Sequence, residues 1–343
     1  MIPRERVRRA INFEGPDRCP VLHMWLLGSF REYRGRLEEL YERYPADIVD
    51  VGFVSRQWGE LDQVGEFVDE WGILWSKASP NWFGQPVKGP LQELEDLTRY
   101  HEHLEVPDAM AAWRFDDAEI KEVIETNPDR FIRAYAGNLF ELLQWLRGPS
   151  NLWMDIYDES REHMLLELID RITEYNLHTI ERWDGYPVDG IWFMDDWGTN
   201  AQLFVHPEKW RKFFKPAYRR MIGAIHRIGR PAEMHTDGYI LDVIPDLIEI
   251  GLDVLNPQHN LMGNLRVREL CWGKICVRSD VDCQKVLPHG TPEEVSAHVR
   301  EIIDCFKHPD GGLILHGEVE LGVPFENYEA MYKSFAEYGG YQR

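Results

Sequence analysis

Eight short apolar runs, each ending in polar residues and followed by a helical pattern, constrain this chain more than any other feature. They occupy residues 20–24, 47–52, 131–137, 190–196, 232–236, 253–258, 274–282 and 312–320. Near-continuous apolar strands separated by helices predict an α/β protein with a parallel sheet covered on its outer face. Eight such units predict a closed (β/α)8 barrel. The helices are legible too. Met164, Leu168, Ile172, Tyr175 and Ile180 form one apolar stripe within 161–183. Thr291-Pro292-Glu293-Glu294 is a capping box with Pro at the first helical position. Pro216 should split the helical pattern over 207–228. At about 150 residues per domain the length allows two domains, but barrels of this size fold as one unit, so 1–343 is read as a single barrel domain. Between the second and third strands, residues from about 55 to about 130 exceed any ordinary βα loop. This insertion carries Trp58, Phe67, Trp71, Trp75, Trp82 and Phe83. It is either a lid or dimer surface at the C-terminal face of the barrel, or a satellite hydrophobic cluster stapling a long excursion.

Charge narrows the partners. Lys plus Arg is 38 and Asp plus Glu is 59, a formal net charge of 38 − 59 = −21. Such a field repels a phosphate backbone and an anionic membrane surface, so neither is an expected partner. No stretch approaches the roughly 18 apolar residues of a membrane span. Met1–Arg18 carries five Arg and no apolar core, so no secretory signal is expected. The five Cys include no CxxC pair, which argues against a disulfide framework and points to a reducing cytoplasm.

In a barrel, residues at the C-terminal strand ends converge on one mouth. Here those ends offer His23, Asp195 and Asp196, then His235 and Asp237. Beyond them come Asn256, Gln258, Arg278, Asp280 and Asp282, and finally His316, Glu318 and Glu320. Singly, a His at a strand end is usually structural, and an Asp there often caps the next helix. Together they pose a problem, because carboxylates packed into one mouth repel unless a cation, protons or arginines offset them. Arg278 could supply part of that charge, and a divalent metal more. His235 and Asp237, two residues apart, can face the mouth together. One imidazole with two carboxylates is a reasonable zinc or iron set with open positions.

Several motifs point to a known family. Pro3-Arg4-Glu5-Arg6-Val7, Pro16-Asp17-Arg18-Cys19-Pro20-Val21 and Asp195-Asp196-Trp197-Gly198 resemble the uroporphyrinogen decarboxylase superfamily. So do Pro245 to Gly251, Asp282 to Leu287, Gly290 to Val295, Gly311-Gly312 and Pro324-Phe325-Glu326-Asn327, in the same order along nearly the whole chain. The resemblance implies a (β/α)8 barrel and one of two chemistries. The first is cofactor-free decarboxylation of a porphyrinogen, whose carboxylates the family grips with two arginines after the first strand. Trp25 and Ser29 stand there instead. An octa-anionic substrate needs cationic anchors, so that activity is not expected, although His316-Gly317 does look like the decarboxylases' late His-Gly. The second is zinc-dependent methyl transfer involving a corrinoid on a partner protein, with zinc held by His-x-Cys after strand five and a further ligand after strand eight. His235-Thr236-Asp237 places Asp237 at the cysteine, and Glu318 or Glu320 is the expected third ligand. Carboxylates donate less charge than thiolates, so the metal is a harder Lewis acid, suited to an ether or alcohol oxygen.

The resulting expectation is a zinc-dependent methyltransferase that demethylates a small, methoxylated substrate and passes the methyl group to a corrinoid supplied in trans. Asp195, Asp196, His316 and Asp282 are the expected acid/base groups. His23, Trp25, Asn256, Gln258 and Arg278 are expected to meet substrate, with Trp58, Trp82, Trp192 and Trp197 as candidate aromatic walls. Two other readings stay open. One is a metal-free lyase using Asp195, Asp196 and His316. The other is a non-catalytic binding protein whose strand-end acids are neutralised by Arg278 and solvent. A homodimer through the aromatic insertion is also expected.

Overall fold

The computed structural model describes residues 1–52, 64–94, 97–111 and 114–341, with the side chains of Trp25 and of residues 97–99 also outside the description. Among the described residues, twelve strands follow in chain order: β1 (Met24–Trp25), β2 (Ile48–Val51), β3 (Gly65–Val68), β4 (Leu74–Lys77), β5 (Gln85–Lys88) and β6 (Phe131–Tyr135), then β7 (Gly190–Met194), β8 (Ala232–Thr236), β9 (Val254–Pro257), β10 (Cys276–Arg278), β11 (Leu313–Ile314) and β12 (Glu318–Val319). Seven pair in parallel in the order β11-β10-β9-β8-β7-β6-β2. The first stave closes the ring. On one side β1 pairs with β12 in parallel, and the Leu22 N–H donates to the Leu315 carbonyl at 3.0 Å. On the other, the Asp47 N–H donates to the Val21 carbonyl at 2.8 Å. The barrel read from the eight runs is therefore present.

The barrel strands β6 to β10 are buried on both faces, but the two faces differ in chemistry. Ile132, Ala134, Ile191, Phe193, Met234, Leu255 and Val277 face the helices as part of the main core. The alternate positions Arg133, Trp192, Glu233, Asn256 and Arg278 are buried as well, pointing into the barrel as the two-residue period requires. The floor of the barrel is apolar: Leu22, Ile48, Phe131, Val254, Cys276 and Ile314 pack with Val7 and Ile11 of the helix Pro3–Asn12. Each such side chain contributes roughly 1.5–3 kcal/mol by leaving water. Asp47 locks this helix down, accepting from Arg6 Nη1 at 2.6 Å, Arg18 Nη1 at 2.7 Å and the Val21 N–H at 2.8 Å.

Helix boundaries follow the sequence signals. Thr291 and Glu294 form the reciprocal capping box of Pro292–Phe306. The 207–228 pattern is split at Phe214 into Pro207–Phe213 and Lys215–Arg227, with Pro216 in the first turn of the second helix. Between β2 and β6 lies an antiparallel sheet, β3-β4-β5. Asp69 sets its first turn, accepting from the N–H groups of Trp71 and Ile73 at 2.9 Å and from Trp75 Nε1 at 2.8 Å. Trp71 and Trp75 are buried in the main core and meet Tyr175 and Trp145 edge-on. These two aromatics staple the excursion down. Trp82 is exposed, and Trp58 lies outside the described residues. Among the described residues no helix is long and apolar enough to cross a membrane.

Candidate active site

Three side chains from two adjacent staves meet at the C-terminal mouth. Asp196 follows β7, His235 ends the inward series of β8, and Asp237 lies two residues further on. One ligand atom from each falls within 4.8 Å of the others. His235 Nε2 is 3.6 Å from Asp237 Oδ1 and 3.9 Å from Asp196 Oδ1, and the side chains keep 14%, 42% and 34% of their surface open in that order.

Hydrogen bonds fix the ring. The Asn256 amide nitrogen donates to the carbonyls of Arg278 at 3.0 Å and Ser279 at 3.2 Å. Its oxygen must therefore be the atom 2.6 Å from His235 Nδ1. An amide oxygen only accepts, so Nδ1 carries the hydrogen and Nε2 is the ring atom turned to the two carboxylates. Metal-binding imidazoles are commonly braced in this way. The two loops are braced as well. The Asp237 N–H donates to Asp196 Oδ1 at 2.9 Å, and the Gly238 N–H to Gln258 Oε1 at 2.9 Å. Gly238 has φ +83°, and a Cβ there would lie 2.0 Å from the Gly198 carbonyl oxygen, so only glycine lets the loops approach this closely.

Around the triad lie further acids. Burial and the neighbouring Asp196 and Glu320 carboxylates push Asp237 up to about 8, although its open surface tempers the effect. Glu318 rises to about 7 through burial, with Asp237 and Glu320 adding repulsion. Asp280 is raised well above its ordinary range by burial and by Glu318 and Asp237. Glu141, a residue the strand-end reading did not single out, is raised by burial and by Asp196, Asp195 and Asp237. It enters from the first turn of the helix Phe140–Arg147 rather than from a strand. Glu320 is raised by burial and accepts from the Cys283 thiol.

Beneath this layer the charges are matched. Arg133 is bidentate to Asp50 at 2.6 and 2.8 Å and also bonds Glu233. Arg278 Nε lies 2.6 Å from Glu233 Oε1, an ion pair without hydrogen-bond alignment. Arg278, expected to meet substrate, is thus buried in the barrel interior.

Several other expected roles change. His23 faces away from the mouth, stacked 4.0 Å from Tyr41 and donating from Nε2 to the Tyr44 carbonyl at 2.8 Å. Leu22 belongs to the floor, so its neighbour His23 must take the opposite face. Asp195 is fully buried and caps a helix. It accepts from the N–H groups of Leu139 and Glu141 and from the Tyr218 hydroxyl, at 2.8, 2.8 and 2.7 Å. Burial pushes it up to about 7 while these donors pull it back. Asp282 caps a turn, accepting from the N–H groups of Gln284 and Lys285 at 2.9 and 2.8 Å. Asn256 and Gln258 direct their hydrogen bonds to the His235 ring and the Asp237 loop. Trp197 is core, stacked on Phe140 and bonded to Tyr218. Trp192 lies inside the barrel over Arg133. Ser29 is buried against the Leu26 and Val319 carbonyls. His316 donates from Nδ1 to the Ser279 carbonyl at 3.1 Å, and its buried Nε2 has no partner among the described residues. A cavity beside the mouth, between the ends of β2 and β6 and the insertion, is lined by Trp71, Phe115, Tyr135, Asn138 and Trp183.

Over more than half of the chain, residues 131–338 match the family model described as uroporphyrinogen decarboxylase (URO-D). The chain belongs to the uroporphyrinogen decarboxylase family. Among solved structures, a methyltransferase from Methanosarcina mazei superposes with a TM-score of 0.71 at 14% identity, covering 98% of this chain and 99% of that one. An intracellular xylanase from Thermoanaerobacterium saccharolyticum, at 11% identity and a TM-score of 0.44, covers 89% and 86% of the two chains. No curated protein matches the chain. The first likeness establishes that this uroporphyrinogen decarboxylase family member shares the methyltransferase's fold end to end.

The acid cluster makes a prediction about stability. Asp237 and Glu318 hold protons more tightly folded than unfolded, so their contribution is present at low pH and lost as pH rises through about 7 to 8. The metal-free protein should therefore melt about 3 °C or more lower at about pH 9 than at about pH 6. Zinc should flatten that slope. Melting curves across this range with and without zinc check it, and a flat metal-free profile would contradict the crowding of these acids.

Proposed function

We propose that this protein is a metal-dependent methyltransferase, with Asp196, His235 and Asp237 holding a zinc ion at the barrel mouth. The observation that carries this reading is the braced His235 ring, whose Nε2 faces two carboxylates in the range a divalent ion would draw together. Asp196 thereby moves from the acid/base set to the ligand set. Glu318 and Glu320 lie outside the tight triad and line the space around it. When bound, zinc would supply Lewis acidity toward an ether or alcohol oxygen. The chain's own part is to hold the two loops together through Asp237, Gly238 and Gln258, to orient His235 through Asn256, and to offer Glu318 as a carboxyl group poised near neutrality for proton movement. The methyl acceptor in this reading is a cobalt corrinoid on a separate protein, consistent with the end-to-end likeness to a methyltransferase fold. The acidic mouth also speaks against a polycarboxylate substrate, since like charges facing a buried acid cluster are costly.

The test is direct. Protein equilibrated with zinc and desalted should retain about one equivalent of metal. It should also methylate free Co(I) cobalamin from at least one member of a panel of small methoxylated compounds. Protein that binds no metal, or that releases CO2 from a carboxylated substrate without one, would overturn the reading.

A further inference from the structure

Beside the mouth, the excursion between β2 and β6 packs near the helix Glu162–Arg182 and leaves a cavity between them. About 60 Å³ of it is open to a water-sized sphere, several times the roughly 10–15 Å³ that one water needs. Its walls are aromatic. Trp71 and Phe115 come from the excursion, Tyr175 from the helix and Trp183 from the turn that follows it. Among the described residues, the ionised side chains that line it are Glu70 and Arg114. These two pair with each other, and the guanidinium also lies 5.2 Å from the centre of the Tyr175 ring. The cavity is therefore neutral as a whole, unlike the acidic mouth, and a net charge placed in it would lose water without gaining a partner.

One polar atom of the lining is left over. Asn176 is 0% exposed. Its Nδ2 donates to the Asn138 carbonyl at 2.9 Å and toward Met221 Sδ at 3.9 Å. Those two bonds use both N–H groups, so the other end of the amide is the oxygen. That Oδ1 has no partner among the described residues. It stands beside Gly137, where a Cβ would come within 2.7 Å of it, and Gly137 and Asn176 both line the cavity. Buried acceptors are almost always satisfied. An aromatic box with one bare carbonyl oxygen calls for an apolar body that carries a hydrogen-bond donor.

We propose that this cavity is a binding site for a small uncharged molecule, apolar apart from an N–H or O–H group that donates to Asn176 Oδ1. The site is separate from the metal triad. Asn138 forms part of its wall and donates from Nδ2 to Glu141 Oε2 at 3.4 Å, so the cavity adjoins the mouth while its own lining holds none of the mouth carboxylates. The inference goes beyond the methyltransferase reading and does not depend on it.

The experiment uses three probes of one shape: acetamide offers a donor, acetone offers none, and acetate carries a charge. Their binding to the full-length protein, with and without zinc, is titrated by saturation-transfer NMR. Acetamide should bind about tenfold more tightly than acetone, and zinc should not alter that ratio. Asn176→Leu should bring acetamide down to the level of acetone. Thr179→Met sets a longer side chain into the cavity wall three residues along the same helix face. It should abolish binding of both neutral probes, and acetate should show no binding that Thr179→Met removes. Thr179→Met carries the test if Asn176→Leu fails to fold. The proposal is wrong if acetone matches acetamide, if acetamide binding survives Thr179→Met, or if no probe binds because water alone fills the cavity. Acetamide binding by a protein that holds no zinc would keep this inference and remove the methyltransferase reading. Zinc-dependent methyl transfer by a protein that ignores acetamide would do the reverse.

Discussion

His235→Ala should reduce zinc affinity by more than about 100-fold, beyond the range typical of losing a supporting residue. The ring provides the nitrogen donor of the triad, and the two remaining carboxylates are left to repel each other across a gap that the imidazole now occupies. Asn256→Leu should cost less, about 10–100-fold, because the ring would remain but lose the bond that orients it. Competition with a chromophoric chelator reads both values, and circular dichroism confirms the fold. Wild-type affinity in His235→Ala would mean that the triad holds no metal.

Asp195→Asn should leave zinc affinity nearly unchanged and lower stability by about 3 kcal/mol, seen as a drop in Tm of about 4 °C. The carboxylate is buried and accepts three hydrogen bonds. An asparagine must turn its own N–H₂ toward one of those donors, setting donor against donor in a site closed to bulk solvent. A catalytic acid would behave in the opposite way, losing activity at unchanged Tm. The contrast with Asp196 is a matter of one residue: neighbouring positions at a strand end leave on opposite faces, one toward the helix layer and one toward the mouth.

That parity explains what was legible in the sequence. The eight staves announced themselves because their outward residues are aliphatic and their ends are polar. His235 and Asp237 could be paired because a spacing of two holds whichever face is inward. Which face His23 or Asp195 takes depends on the pairing register, and nothing local encodes it. Leu22 had to be seen in the floor before His23 could be placed against Tyr41. Arg278 and Glu233 similarly required the inward series of two strands to be aligned. Glu141 was missed for a different reason. It belongs to no strand end and reaches the mouth because Asp195 caps its helix there. A surer signal would have been the buried Asp itself, since a cap implies a helix start at the site. The insertion was ambiguous because aromatic residues staple and cover equally well. The turn built by Asp69, which seats Trp71 and Trp75, decided it for those two residues.

The helix Pro3–Asn12 stoppers the barrel from below, with Val7 and Ile11 wedged among the floor residues. No traffic can pass through the cylinder. Anything that reaches the His235 side must come and go by the same doorway, including a bulky macromolecular acceptor. In the methyltransferase reading the donor must then be seated first and the acceptor close over it, so that the methyl group passes directly between them in a ternary complex; initial-rate plots should intersect, and excess acceptor should block donor entry.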